Sequence, residues 1–219
     1  MDIQPLGHAA FRIKGKTASI VTDPFDSTMV GLPFPKNTTA DIVTVSHRHH
    51  DHDFTAVVGK PETGEQVVIS GPGEYEVKGI QITGVSTFHD GQQGAARGRN
   101  TVYKIEMDGL TLVHLGDLGH QLSETQIEEL NNVQILFIPV GGFYSLDAKT
   151  ASQVAAQIEA NIVIPMHYNR PKLNQKVFEE LTALSDFLKE MGKDKIEPLP
   201  KLKITKEQLP EEPQVIVLE

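Results

Sequence analysis

The sequence predicts an α/β protein in which two sheets pack against each other and helices lie outside them. The first hundred residues alternate short β-branched runs with turn signals, and from residue 101 strand-like and helix-like segments alternate. A chain of 219 residues with 39% hydrophobic content can bury one sizeable core. We therefore expect a single domain over 1–219, strand-rich over about 1–100 and mixed over about 101–219.

The individual elements follow from local patterns. In the first half, β-branched runs bounded by Gly, Pro or Asp predict strands at 18–22, 42–46, 66–70 and 80–83. The second half predicts strands at 101–107, 110–115, 133–139 and 161–165. Ser123 with Gln126 forms a capping-box pattern, and Asp147 is an N-cap candidate. These predict helices from 123, over 147–160 and over about 172–191, followed by a closing hairpin of 201–205 with 214–218.

Composition and charge exclude several classes of protein. The formal charge of −9 comes without a basic block, which argues against extended nucleic acid as the substrate. The N-terminus has no basic or apolar leader, and the longest apolar stretch, 133–140, contains Gln134 and Pro139, so neither secretion nor membrane insertion is expected. Because cysteine is absent, a metal must use imidazole and carboxylate ligands, and we expect a cytoplasmic location.

A dense group of candidate metal ligands follows the predicted strand at 42–46. Residues 46–52 read Ser-His-Arg-His-His-Asp-His, so His47, His49, Asp51 and His52 form an H-x-H-x-D-H pattern. Further candidates follow later strand-like segments: His89, His114, Asp117 and His167. Imidazole and carboxylate donors of this kind suit zinc, manganese or iron.

The order of these residues resembles the metallo-β-lactamase fold superfamily over about residues 5–168. That family has H-x-H-x-D-H, a later His, an Asp often preceded by Gly, and a final His after a strand. The resemblance implies a four-layer αββα sandwich of two mixed sheets with outer helices and a binuclear metal site. Further segments are similar to the small metal-dependent hydrolases related to the ascorbate 6-phosphate lactonase group: LGHAAF at 6–11, TDPF at 22–25, RGRNTVY at 97–103, HLGDLG at 114–119 and PVGGFYS at 139–145.

The resemblance implies a role for each ligand candidate. It assigns His47, His49 and His89 to one divalent ion, and Asp51, His52 and His167 to the other. Asp117 would bridge the two ions, which we expect to be zinc or manganese, with iron as a third option. A hydroxide shared by the ions would be the nucleophile. Asp51 and Asp117 are thus the candidate catalytic carboxylates, and Asp51 could instead act as a base if one ion is bound.

Further residues are candidates for supporting roles. His89 is preferred over His114 as the third histidine because it ends a strand and enters a Gly-rich loop, which leaves His114 as an outer partner or packing residue. The family places an Asp such as Asp23 against a ligand histidine, where it fixes the tautomer. His8 could reach the site or be structural.

Three residues are candidates for substrate contact. Arg97 and Arg99 lie in the loop after His89 and are either solvated or bind a phosphate or carboxylate. The hydroxyl of Tyr144 could polarise a scissile group, although its segment is equally consistent with a plain turn.

These observations favour a metal-dependent hydrolase whose shared hydroxide attacks an ester, lactone or phosphodiester bond of a small molecule. One alternative is an RNA or DNA phosphodiesterase, disfavoured by the charge and by the lack of an inserted nucleic-acid domain. The other is a metal-dependent binding or sensor protein that performs no chemistry. We expect a small-molecule partner and no extended nucleic acid or membrane; a homo-oligomer remains open.

Overall fold

Two mixed β-sheets form the centre of the molecule in a computed structural model, which describes residues 1–62 and 64–219. The first sheet contains β1 (Asp2–Gly7), β2 (Ala10–Lys14), β3 (Ser19–Thr22), β4 (Ile42–Val45), β5 (Val67–Ser70) and β12 (Leu202–Lys203). Its order is β12-β1-β2-β3-β4-β5, antiparallel from β12 to β3 and parallel from β3 to β5.

The second sheet is built in the same way. It contains β6 (Gly73–Val77), β7 (Ile80–Phe88), β8 (Arg99–Met107), β9 (Leu110–His114), β10 (Ile135–Pro139), β11 (Ile162–Met166) and β13 (Gln214–Val215). Its order is β13-β11-β10-β9-β8-β7-β6, with antiparallel pairing from β6 to β9 and parallel pairing from β9 to β13.

Helices cover the outer faces of both sheets. They are α1 (Ser27–Val30), α2 (Glu124–Glu129), α3 (Ala148–Ile158), α4 (Gln175–Phe178) and α5 (Leu184–Glu190). Apolar side chains of α3 and α5 pack on the second sheet, and those of α1 and α4 pack on the first. A third apolar cluster, with Phe11 and Phe137, fills the space between the sheets. The prediction of a four-layer sandwich of two mixed sheets with outer helices is therefore confirmed.

The capping signals are confirmed. Ser123 and Gln126 form a reciprocal capping box at the start of α2, and the Asp147 carboxylate accepts the Thr150 N–H at 2.7 Å at the start of α3. Each cap supplies a partner to an N–H group that has no acceptor within its own helix.

Two sequence predictions are wrong. The helix expected over about 172–191 is divided into α4 and α5, because the Thr182 N–H donates to the Gly141 carbonyl and the Thr182 carbonyl accepts the Asn169 N–H. These backbone groups are thus unavailable to a helix. The expected tail hairpin does not form either: β12 pairs with β1 in the first sheet, while β13 pairs with β11 in the second. In the described part of the chain, no helix has the length and apolar character that a bilayer crossing requires.

Tyr103 links the two sheets directly beneath the histidine-rich loop. Its hydroxyl donates to the Val45 carbonyl at 2.9 Å and accepts the Gly71 N–H at 2.9 Å, and its side chain is fully buried. We expect Tyr103→Phe to lower the free energy of unfolding by about 1–3 kcal/mol, because buried backbone groups lose a partner. Urea denaturation measures this change. Tyr75→Phe is the control, since that hydroxyl is only half-buried; equal losses in both variants would contradict the assigned role.

Candidate metal centre

The candidate ligands converge because strands from both sheets end at the same edge of the sandwich. Within each sheet the contributing strands are parallel to one another, so their carboxyl ends meet. The residues that follow these ends are His8 after β1, Asp23 after β3, His47 after β4, His89 after β7, Asp117 after β9 and His167 after β11. Ligands far apart in the sequence thereby become neighbours.

The side chains form overlapping groups whose ligand atoms lie within 4.8 Å of one another. One group contains His47, His49 and His89, the set that the resemblance assigned to one ion. Another contains Asp51, His52 and His167, the set assigned to the other ion, together with His8. We call His47, His49 and His89 the first set, and Asp51, His52 and His167 the second set. A third group links these sets: His47, His52 and Asp117.

Asp117 occupies the centre of this arrangement. Its Oδ2 atom lies 3.2 Å from His167 Nε2 and 3.3 Å from His52 Nε2. The same oxygen lies 3.5 Å from His89 Nε2 and 3.9 Å from His47 Nε2. One carboxylate oxygen thus faces histidines of both sets, as a bridging ligand requires.

Several nitrogen and oxygen atoms that could ligate a metal have no hydrogen-bond partner among the described residues, although they are buried. They are His47 Nε2, His52 Nε2, His167 Nε2 and Asp117 Oδ1. A buried polar atom without a partner is costly, so such a concentration calls for a missing partner. Imidazole nitrogens and carboxylate oxygens fit a divalent transition-metal ion in that position.

Hydrogen bonds on the far side of two rings fix their tautomers. Asp23 Oδ2 accepts from His52 Nδ1 at 2.8 Å and from the Ser46 hydroxyl at 2.6 Å. Because the Ser46 hydroxyl donates to Asp23, its oxygen accepts from His47 Nδ1, which lies 2.9 Å away. Both rings therefore turn their Nε2 atoms toward Asp117.

His8 contacts the second set directly. Its Nε2 lies 3.3 Å from Asp51 Oδ2, and its ring centroid lies 4.1 Å from that of His167. Burial lowers the pKa of His8 to about 4, so this ring is neutral near pH 7 and donates its Nε2–H to the Asp51 carboxylate. The structure thus places His8 beside the ligand candidates, as a hydrogen-bond partner of Asp51.

His114 supports the turn that carries Asp117. Its Nε2 donates to the Ala9 carbonyl at 2.9 Å, and its Nδ1 accepts the Gly116 N–H at 3.2 Å. The Asp117 N–H donates to Asn100 Oδ1 at 3.0 Å. Gly116 has φ +55°, and a Cβ there would collide with Asn100 and Ser46, so only glycine permits this close approach. Both ring nitrogens of His114 are engaged away from the ligand groups.

The central charges shift the pKa values of neighbouring groups in opposite directions. Burial alone would raise the pKa of Asp117, but His167 and His52 outweigh burial and hold that pKa well below its usual range. Burial alone would lower the pKa of both rings, but the negative charge of Asp117 outweighs it. That charge raises the pKa of His167 to about 9, and together with Asp51 it raises the pKa of His52 well above its usual value.

In the first set, burial is the main influence on the pKa values of His47 and His89. It lowers the pKa of His47 well below its usual value and that of His89 to about 4. These rings are neutral near pH 7 and so have lone pairs available for a cation.

The backbone is strained at the centre. His8, Asp23 and His167 have φ values of +54°, +40° and +53°, in the left-handed region that side chains other than glycine rarely adopt. Residues in such conformations each cost about 1–3 kcal/mol and cluster at functional sites. The strain directs these three side chains from strand ends toward one point.

A cavity of about 370 Å³ opens beside the ligand groups. Its lining includes His49, Asp51, His89 and Asp117, and from the surrounding loops and helices it also includes Met29, Ala96, Arg97, Tyr144, Val177 and Phe178. Of the substrate candidates, Arg97 and Tyr144 thus line the cavity. Arg99 is exposed and lies outside the lining. The Tyr144 hydroxyl donates to the Val177 carbonyl at 2.7 Å, so the ring, not the hydroxyl, faces the cavity contents.

Sequence reasoning missed three residues that organise the centre: Ser46, Asn100 and Asp90. Ser46 connects Asp23 to His47, while Asn100 donates to Thr87 and Leu115 in addition to holding the Asp117 N–H. The Asp90 carboxylate accepts N–H groups of the following loop. Ser46 and Asp90 each adjoin a ligand histidine, and that adjacency was the available signal.

Comparison with known proteins identifies the family. The model of the β-lactamase superfamily domain matches residues 2–167. The chain belongs to this superfamily.

Three similar proteins that align with most of this chain are described as metal-dependent hydrolases. A UPF0173 metal-dependent hydrolase from Methanospirillum hungatei is 31% identical over 209 residues, covering 85% of this chain and 91% of that protein. A second, from Thermococcus onnurineus, is 30% identical and covers 77% and 85%. A solved Thermotoga maritima structure, assigned to the Zn-dependent hydrolases of the metallo-β-lactamase superfamily, has a TM-score of 0.79 and 37% identity and covers 99% and 97%. The chain therefore belongs to a family of metal-dependent hydrolases.

Proposed function

We propose that this protein binds two divalent ions and hydrolyses an ester, lactone or phosphodiester bond of a small molecule. The observation that carries the proposal is the position of Asp117 Oδ2, which lies within 3.9 Å of His47 Nε2 and within 3.2 Å of His167 Nε2. These histidines belong to different ligand groups, so one carboxylate can serve both ions.

The two sets divide the ligation between them. His47, His49 and His89 would hold one ion, Asp51, His52 and His167 the other, and Asp117 would bridge. Zinc or manganese, with iron as a further option, fits these nitrogen and oxygen donors, and the Thermotoga relative is described as Zn-dependent. Bound ions of this type lower the pKa of water and polarise a carbonyl or phosphoryl oxygen.

The chain's own residues prepare the site for this chemistry. Asp23 and Ser46 hold the rings of His52 and His47 with their lone pairs toward the centre. His8 holds the carboxylate of Asp51, which would ligate the second ion, or act as a general base if only one ion is bound. The cavity volume of about 370 Å³ lies at the small end of ligand pockets and suits a small molecule.

A substrate panel on metal-loaded protein tests the proposal. We expect turnover of at least one member among 4-nitrophenyl acetate, γ-butyrolactone and bis(4-nitrophenyl) phosphate, abolished by a chelator and restored by zinc or manganese. Elemental analysis should find about two ions per chain. Metal binding without turnover across a wider panel would instead favour the binding or sensor protein. A cytoplasmic location and the relation to the ascorbate 6-phosphate lactonase group stay predictions.

A further inference from the structure

Arg97 lies over an aromatic shelf at the edge of the candidate catalytic cavity. Its guanidinium carbon lies 5.4 Å from the ring centroid of Phe143 and 5.5 Å from that of Tyr144. Arg97 and Tyr144 line the same cavity as Asp51 and Asp117, so the guanidinium faces whatever the candidate metal centre holds. We call Phe143 and Tyr144 the aromatic shelf.

The loop that carries Arg97 is fixed by one carboxylate. Asp90 Oδ1 accepts the N–H groups of Gln92 at 2.7 Å and Gly94 at 2.9 Å. Asp90 Oδ2 accepts those of Ala96 at 2.9 Å and of Arg97 itself at 2.7 Å. Because the backbone is ordered before a ligand arrives, binding to Arg97 costs little conformational entropy.

The aromatic shelf is held in place from the opposite side of the cavity. The Tyr144 hydroxyl donates to the Val177 carbonyl at 2.7 Å, which fixes the ring orientation. Phe143 has φ +35° and remains 54% exposed. It lies in a turn in which the Ser145 N–H donates to the Gly142 carbonyl at 2.9 Å. This turn holds the Phe143 ring beside that of Tyr144, with the ring centroids 4.7 Å apart.

The positive charge of Arg97 is not neutralised by an acidic side chain. Within residues 1–62 and 64–219 the guanidinium forms neither an ion pair nor a side-chain hydrogen bond. A guanidinium in cation–π contact with aromatic rings keeps its N–H groups available, and these match a carboxylate or phosphate bidentately. Met29, Val177 and Phe178 provide an apolar wall in the same cavity.

We propose that Arg97 and the aromatic shelf form a subsite for an oxyanion group of the substrate, remote from the bond that is hydrolysed. The substrate is then a small amphipathic anion: its carboxylate or phosphate contacts Arg97, and its apolar part lies against Met29, Val177 and Phe178. This inference rests on the proposed hydrolase function, but it adds a charge requirement that the ligand groups alone do not impose.

Arg99 provides a matched control. It has the same charge, lies two residues away on β8, is exposed and does not line the cavity. A long-range electrostatic effect on anions would respond similarly to loss of either arginine, whereas a subsite responds only to loss of Arg97.

The first test compares two esters on the zinc-loaded protein: mono-4-nitrophenyl glutarate, which carries a free carboxylate, and its methyl ester, which does not. We expect Arg97→Gln to raise KM for the charged ester at least about tenfold with little change in kcat, and to leave the neutral ester within about twofold. Arg99→Gln should change neither. Equal losses on both esters in Arg97→Gln, or equal effects of the two substitutions, would overturn the subsite.

The second test measures binding, so that failure of the hydrolase proposal stays distinguishable. Calorimetry on the zinc-loaded parent should show benzoate or phenyl phosphate binding more tightly than benzamide, with the preference lost in Arg97→Gln and kept in Arg99→Gln. The stronger of the two anions identifies the source of the oxyanion. This result without turnover of any ester, lactone or phosphodiester would reject the hydrolase and keep the subsite; no preference in the parent, or a preference that survives Arg97→Gln, would reject the subsite.

Discussion

Asp117→Asn should reduce metal-dependent turnover by at least about a thousandfold, well beyond the roughly 10- to 100-fold typical of an outer partner. The substitution removes the negative charge that faces histidines of both ligand groups, so two dications would approach each other with less compensation. We also expect the protein to retain fewer ions per chain. The measurements are kcat/KM on the preferred substrate of the panel and metal content by elemental analysis.

Asp53→Asn is the matched control. Asp53 lies in the histidine-rich loop after β4, but its carboxylate contacts exposed His50 at 3.3 Å and takes no part in the ligand groups. This variant should keep its metal content and activity. Unchanged activity and metal content in Asp117→Asn would remove the bridging assignment and, with it, the main support for two ions at a shared site.

The clustering of the candidate ligands could be predicted from the H-x-H-x-D-H pattern and from the family resemblance, which selects the later candidates. Without cysteine, only His, Asp and Glu can ligate strongly, and the candidates follow strand-like segments whose parallel ends must meet. The same reasoning could not place His8. Its approach to Asp51 depends on a left-handed backbone at the end of β1, and no local pattern specifies that turn.

The supporting residues were less accessible for a different reason. Ser46, Asp90 and Asn100 are common polar types, and their roles arise from partners brought together by folding. Asn100, for example, reaches the Asp117 N–H across neighbouring strands. Sequence shows that such a residue is polar, but the hydrogen bond exists only after the sheet has formed.

Three strands were missed: β1, β2 (AFRIK) and β6. β1 contains Pro5 and Gly7, and β6 reads GEYEV, with polar residues at a sheet edge. Neither segment forms an apolar β-branched run, so pairing with a neighbour decides its conformation. At 172–191 the sequence signal was strong but misleading. The helix propensity is good, but backbone hydrogen bonds of Thr182 with Gly141 and Asn169 interrupt the helix.

The two candidate ion sites should fill with metal over different pH ranges. The first group is His47, His49 and His89, and the second is Asp51, His52 and His167. In the first group, burial lowers the pKa of His89 to about 4 and that of His47 well below its usual value, so above about pH 5 an ion displaces no proton from these rings. In the second group, the charge of Asp117 outweighs burial and raises the pKa of His167 to about 9, and His52 is raised too. An ion must displace those protons.

Metal affinity of the second group should increase with pH. Below pH 9 the metal-free ring of His167 is protonated, so the affinity of the second group should rise as pH rises, by about tenfold per pH unit for each proton displaced. An ion already in the first group adds positive charge beside the rings and lowers their pKa, which moves the steepest range below pH 9. In the first group, His47 and His89 should add no pH dependence to the affinity between pH 6 and 8.

Zinc titrations at pH 6, 7 and 8, with calorimetry in buffers of different ionisation enthalpy, count the protons released by each equivalent. We expect one to two for the second equivalent and fewer for the first, because His47 and His89 hold no proton there, with one fewer for the second in His167→Gln. Equal pH dependence for both equivalents would mean that the carboxylates do not hold the second group protonated. If the prediction holds, a mildly acidic preparation carries one ion, and its inactivity would separate the role of the second ion from that of the first without any substitution.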